Sequence, residues 1–304
     1  MINRITYRFI FMLVCMCTSV YMQAQQNDDF VTAYKYIQLN QVDSARARID
    51  KAMRDSVTLG KDPQAWYVRG YIYKVVYKTR EASDRNSPAR LQAVYSFFKS
   101  ISLTADTGKQ MRADCKVNLK YLAARFYNDA AQALDTSNYK NPIQYFAQYL
   151  SIMKKIEPDM STVKMEVEFA MALATTYTSL YQANQKTRAN FLELAKGSLA
   201  KALSLDPNNV SANYNMGILY YNQAVYLIKG QDYDIDLTSL DAIQDNQVQL
   251  FKQSLPFTEK AYALDPKKEE ALLALSGIYF GLNDFEKSKL FQEKLDQLKK
   301  EQKH

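Results

Sequence analysis

The 304-residue chain holds a single histidine, His304, at its last position. That removes most histidine-based acid–base chemistry and most zinc sites. Cysteine is scarce as well: Cys15, Cys17 and Cys115 are the full set. The 8 glycines stand singly, so no glycine-rich phosphate loop is present. No Gly-x-Ser-x-Gly elbow occurs, and Cys115 has no histidine partner in the body of the chain, so nucleophilic catalysis lacks its parts. We therefore assign no catalytic residue, no metal and no cofactor, and read the chain as non-enzymatic. No segment alternates apolar and polar residues for long, and no Asn-Gly or Asp-Gly hairpin turn occurs. The composition, 47% hydrophobic and 23% charged, is that of an ordinary folded protein. It excludes a disordered polymer, a collagen and a polytopic membrane protein.

Acidic residues are absent before Asp28, and Arg4 and Arg8 are the only charges there. An apolar run, Phe9 to Cys17, follows, then a short polar stretch ending at Ala24. This is the layout of a secretory signal, residues 1–24, cut near Ala24-Gln25, and it places the mature chain, 25–304, in the periplasm. An uncleaved membrane anchor is the alternative, because the uncharged run is nearly long enough to span. A lipid anchor on Cys15 or Cys17 is disfavoured by the bulky Val14 and Met16 before them. Removing Arg4 and Arg8 with the leader takes two charges from the net +7 and leaves +5. Only Cys115 then remains, so no intramolecular disulfide is possible. Acidic and basic residues alternate without a basic block, which argues against nucleic acid.

What the chain has in plenty is helical periodicity. Asp62-Pro63, Ser87-Pro88 and Asn141-Pro142 each precede an apolar-periodic stretch, as an N-cap followed by a first-turn proline does. Glu157-Pro158, Asp206-Pro207 and Asp265-Pro266 each end one. The fold class is all-α. Two phrases recur in fixed order. Trp66 to Tyr73 is matched by Asn213 to Tyr220 and by Leu272 to Tyr279, with Gly70, Gly217 or Ser276 three places before the last Tyr. Small or apolar residues at spacings of four and three then recur: Ala45, Ile49, Ala52; Phe146, Leu150, Met153; Ala195, Leu199, Ala202; Ser254, Thr258, Ala261.

These phrases resemble the tetratricopeptide repeat (TPR) family, whose helix–turn–helix units of about 34 residues stack into an α-solenoid. The resemblance covers roughly residues 26–300 in about six units. It implies close helix contact at Gly70, Gly217 and Ser276, and buried Tyr73, Tyr220 and Tyr279. In the third unit, Leu119 to Leu134, Ala123 or Ala124 must replace the Gly. The middle is over-long: Pro158 to Pro207 spans 49 residues and Pro207 to Pro266 spans 59. The surplus is expected in lengthened helices or in loops at 78–86 and 230–241. Asp232, Asp234 and Asp236 superficially suggest a calcium loop, but Leu237 and Ile243 stand where its Gly and Glu belong, so a solvated acidic loop is expected.

Tyrosine is over-used, with 23 residues. In TPR proteins the first helix of each unit lines a concave groove. The resemblance places Tyr34, Tyr67, Tyr71, Lys74, Tyr214, Asn215, Tyr221 and Asn222 on that face. Tyr and Asn suit a peptide groove, combining large amphipathic area with adaptable hydrogen bonds. A carboxylate clamp is not expected, because Glu270 and Ala274 stand where basic residues should be. The implied function is a protein-binding scaffold for a peptide or protein partner in the cell envelope, without a small-molecule cofactor. The alternative is a structural subunit of an outer-membrane assembly or transport complex.

Overall fold

The computed structural model describes residues 28–134, 141–229 and 236–302. The leader, with Cys15 and Cys17, and the segment containing Asp232 and Asp234 lie outside the described residues. Thirteen helices occur among the described residues. They are α1 (Asp28–Gln38), α2 (Val42–Asp55), α3 (Val57–Lys61), α4 (Pro63–Arg80), α5 (Pro88–Leu103) and α6 (Lys109–Gln132). Then follow α7 (Asn141–Ile156), α8 (Val163–Ala183), α9 (Asn190–Leu205), α10 (Val210–Lys229), α11 (Leu237–Leu264), α12 (Glu269–Gly281) and α13 (Phe285–Glu301). The chain divides into two compact units, one ending at Arg125 and one beginning at Phe126.

Capping chemistry sets the helix ends. Asp62 accepts from the Gln64 N–H and Ser87 from the Arg90 N–H, each just before a first-turn proline. Asn141 is instead the first residue of α7. The two Asp-Pro stops build the same turn. Asp206 and Asp265 each close a helix with their own N–H, and their side chains accept from the N–H groups of Asn208 and Lys267. The first and last helix pairs turn through Asn40 (φ 58°) and Asn283 (φ 61°). That left-handed conformation is one Asn tolerates better than most residues.

Helices pair in sequence as hairpins: α1 with α2, α4 with α5, α8 with α9, α10 with α11, and α12 with α13. Tyr127 at the end of α6 meets Phe146 and Tyr149 of α7, which completes a sixth. The fold is all-α, of the TPR-like solenoid type, and the short α3 is an addition to the expected pattern. The repeated small residues do what their spacing implied. Ala45, Ile49 and Ala52, Ala195, Leu199 and Ala202, and Ser254, Thr258 and Ala261 are all buried, whereas Leu150 is only half-buried. In the third unit Ala123 is buried and Ala124 exposed, so Ala123 takes the Gly position. At Gly217 the Ser254 hydroxyl donates to the glycine carbonyl (2.7 Å), and a Cβ there would stand 2.2 Å from Thr258 Oγ1. Ser288 likewise donates to the Ser276 carbonyl (2.9 Å). At Gly70 a Cβ would meet the Phe97 ring at 2.9 Å.

Two expectations are corrected. Residues 237–241 are not loop: Asp236 caps α11, accepting from the Ser239 N–H (2.9 Å), and the helix starts at once. The surplus of the fifth unit is thus largely absorbed by the 28-residue α11. Likewise α4 runs on to Arg80, so the expected 78–86 insertion shrinks to the turn that follows. Tyr220 is also not fully buried. It stacks on Phe257 (6.2 Å) beneath the Lys196 ammonium (4.4 Å) and is half-exposed, whereas Tyr73 and Tyr279 are buried as expected.

Candidate functional site

In the first unit, Tyr67, Tyr71 and Lys74 fall on one stripe of α4, at spacings of four and three. The stripe faces α6. Lys74 Nζ donates to Asn118 Oδ1 at 2.5 Å and lies 4.6 Å over the Tyr71 ring. Tyr67 packs edge-on against Phe97 (5.8 Å). Burial pushes the Tyr67 phenol up to about 12, with the Asp114 carboxylate adding to the rise. Burial, then the neighbouring Lys78 charge, pulls the Lys74 ammonium down to about 8. All three residues are half-buried, as is Tyr34 on α1. This face is occupied by the chain's own side chains.

In the second unit the equivalent face is open. A groove of about 830 Å³ lies between α10, α11 and α12. Its α10 wall is the stripe Tyr214, Ile218, Tyr221 and Val225. Its α12 wall carries Glu270, Leu273, Ala274, Gly277 and Phe280. The third wall comes from the first half of α11, with Gln244, Gln247, Val248 and Phe251. Tyr214 and Tyr221 therefore line one groove. Asn215 and Asn222 do not: each sits one residue further along, about 100° around the helix, and neither lines the groove. Asn222 is exposed and Asn215 half-buried.

Tight packing sets the groove's floor. Tyr221 lies tilted on Phe251 (5.6 Å). Its hydroxyl would be 2.7 Å from a Cβ at Gly277, and the Phe251 ring would be 2.2 Å from one at Gly281. Two glycines one turn apart on α12 let these rings enter. Above the floor, Leu273 and Phe280 are 58% and 62% exposed, two turns apart on one helix. At the α12 start, Lys268 Nζ lies 3.3 Å from the Glu270 carboxylate and 4.8 Å over the Tyr214 ring. Burial, then the Glu270 charge, raises the Tyr214 phenol.

Sequence reasoning missed Phe251, Gln244 and Gln247, and it missed Leu273 and Phe280. Two signals pointed to them. The fifth unit is 59 residues against the usual 34 or so, and Leu273 and Phe280 are large apolar residues seven apart, outside the anchor positions. Asp236, one member of the acidic trio, is occupied as a helix cap, and its Ser239 hydrogen bonds hold its carboxyl below the usual range. Among the described residues no cluster of three ligating side chains occurs, and no helix is long and apolar enough to cross a membrane.

No family model matches the chain, and no curated protein matches it. Solved structures do. One is a monomeric IFIT1 mutant with Gppp-AAAA: TM-score 0.34, 16% identity, covering 92% of this chain and 62% of that one. Another is the MamA protein: TM-score 0.32, 12% identity, covering 76% and 92%. A third is the yeast Sti1 TPR2AB domain in complex with pHSP90: TM-score 0.32, 13% identity, covering 90% of each chain. The chain spans under two thirds of the IFIT1 chain it matches. The helix pairs and their repeated anchors decide the class. The fold is TPR-like.

Proposed function

We propose that the chain is a non-enzymatic binding scaffold that holds a segment of a peptide or protein partner in the groove between α10, α11 and α12. One observation carries this reading. The extra length of the fifth unit builds a third wall, and behind it Leu273 and Phe280 stay exposed beside half-buried Tyr214 and Tyr221. Large aromatic and aliphatic groups around a concavity, with a few polar side chains among them, are the usual makings of a binding hot spot. The basic, then apolar, leader at Arg4 to Cys17 supports export and action in the cell envelope. The first unit contributes rigidity, since its matching face is already filled by Lys74 and Asn118.

Site-specific photocrosslinking tests the site. With p-benzoylphenylalanine in place of Phe280, the chain expressed in its own cells should yield a defined adduct. The same group in place of Tyr95, exposed on α5 of the first unit, should not. Equal adducts at both places would reject the groove. N-terminal sequencing of the native protein tests export: a start near Gln25 is expected, and a start at Met1 in the membrane would favour the anchor.

A further inference from the structure

Among the described residues the groove has one charged lining residue, Glu270, and no basic one. The Glu270 charge acts on the Tyr214 phenol, and one lysine touches both groups; a carboxylate and an aromatic face that share a cation form a cation-binding pair. The chain's own Lys268 already sits there, 3.3 Å from Glu270 and 4.8 Å over the ring. The backbone N–H at the helix start, and then Lys268, hold the Glu270 carboxyl below the usual range, so it is anionic at neutral pH. The Glu270 side chain is 62% exposed, so its carboxylate keeps room for a second cation, whereas Lys268 is only 21% exposed and rests on the Tyr214 ring. An incoming cation must therefore compete with Lys268 for the carboxylate and the ring.

The rest of the groove sets the occupant's form. Leu273 lies one turn beyond Glu270, and Phe280 lies ten residues beyond it, about 15 Å along the helix. An extended chain rising about 3.3 Å per residue covers that span in roughly five residues. On the opposite wall the Gln244 and Gln247 amides offer both donors and acceptors, which unpaired peptide groups need and a helix would not use.

Resting on the scaffold reading above, we infer that the groove takes an extended peptide segment with an Arg or Lys side chain at the Glu270–Tyr214 end, displacing Lys268, and apolar side chains on Leu273 and Phe280. The two charged residues then act with opposite sign: Glu270 recruits the occupant's cation and Lys268 competes with it.

The full chain is applied to an array of random hexapeptides blocked at both ends, and the best binder is titrated by fluorescence anisotropy. Bound sequences should be enriched in Arg or Lys together with Leu, Phe or Tyr. Glu270→Gln should weaken binding about tenfold, as loss of a charge-assisted contact does. Lys268→Ala should tighten it about threefold. Enrichment of Asp or Glu overturns the inference. So does an unchanged affinity in both charge variants while Phe280→Ala abolishes binding, a result that leaves the groove standing. An array without binders, together with self-association that Phe280→Ala removes, overturns both and assigns the face to a second copy of the chain.

Discussion

The α4–α6 seam of the first unit and the α10–α12 seam of the second carry the same plan with opposite outcomes. Tyr67 corresponds to Tyr214, Tyr71 to Ile218 and Lys74 to Tyr221, counted from Gly70 and Gly217. Across the seam, the buried residues Cys115, Leu119 and Leu122 of α6 correspond to Ala271, Leu275 and Ile278 of α12. That register sets Asn118 against Ala274 and Tyr121 against Gly277. Asn118 reaches Lys74 and closes the first seam. Ala274 and Gly277 carry no side chain that fills it: Tyr221 packs over Gly277, and the second seam stays open as the groove. Two side-chain volumes on one helix separate a filled repeat junction from an open one.

The largest expected effects test the shared plan. Tyr73→Ala should destabilise by about 3–5 kcal/mol, because the ring is 8% exposed and its hydroxyl donates to Asp50 at 2.5 Å. Tyr71→Ala, half-buried, should cost far less, about 1 kcal/mol. Urea unfolding of the two variants checks the difference. Gly217→Leu should cost about 3 kcal/mol or more, since the new side chain meets Thr258 and the Ser254 backbone, which cannot step aside. An unchanged melting curve would show that the helix contact is not where Gly217 puts it.

A smaller effect separates the seams by pH. Lys74, held at about 8, is neutralised in the folded state well before it is in the unfolded chain, where an ordinary lysine titrates near 10.4. Between those values the unfolded state binds more protons, so stability from this group rises with pH through that window and its penalty is greatest below about pH 8. Lys74→Met should therefore stabilise the protein at pH 7 by about 1–2 kcal/mol, and the gain should fade by pH 10. The measurement is thermal melting of both proteins from pH 7 to 10. A gain that does not change with pH would mean that Lys74 is not desolvated.

Much of this fold was legible in the residues. Asp62, Ser87, Asp206 and Asp265 each stop or start a helix by a local hydrogen bond, and local chemistry is what a sequence displays directly. The anchors Gly70 and Gly217 were legible because only a small side chain fits a close helix contact. The groove was half legible. Tyr214 and Tyr221 followed from register on a single helix. Phe251, Leu273 and Phe280 did not, because their meeting depends on how far α11 extends, and nothing local announced that its first turns were helix rather than loop. Tyr220 was misjudged for a related reason. The anchor spacing put it toward the interior, but its ring lies along Phe257 beneath the Lys196 ammonium and stays half-exposed.

A change inside the groove carries the largest expected effect on binding. Ala274→Asn places in the second seam the side chain that closes the first. Ala274 is only 5% exposed, so the larger side chain should cost about 1–3 kcal/mol, and capture is compared between folded proteins. The substitution should weaken capture of the best array peptide by more than tenfold. Tyr214→Ala should weaken capture while leaving folding nearly intact.

The most direct measurement is calorimetric titration of that peptide into the wild-type chain and into Leu273→Ala/Phe280→Ala. Both side chains are largely exposed, so the double variant should fold with an unchanged melting temperature. Affinity should fall at least about thirtyfold, as loss of two apolar contacts near the centre of a groove does. Undiminished affinity in the folded double variant would contradict the assignment of the α10–α12 groove as the binding site.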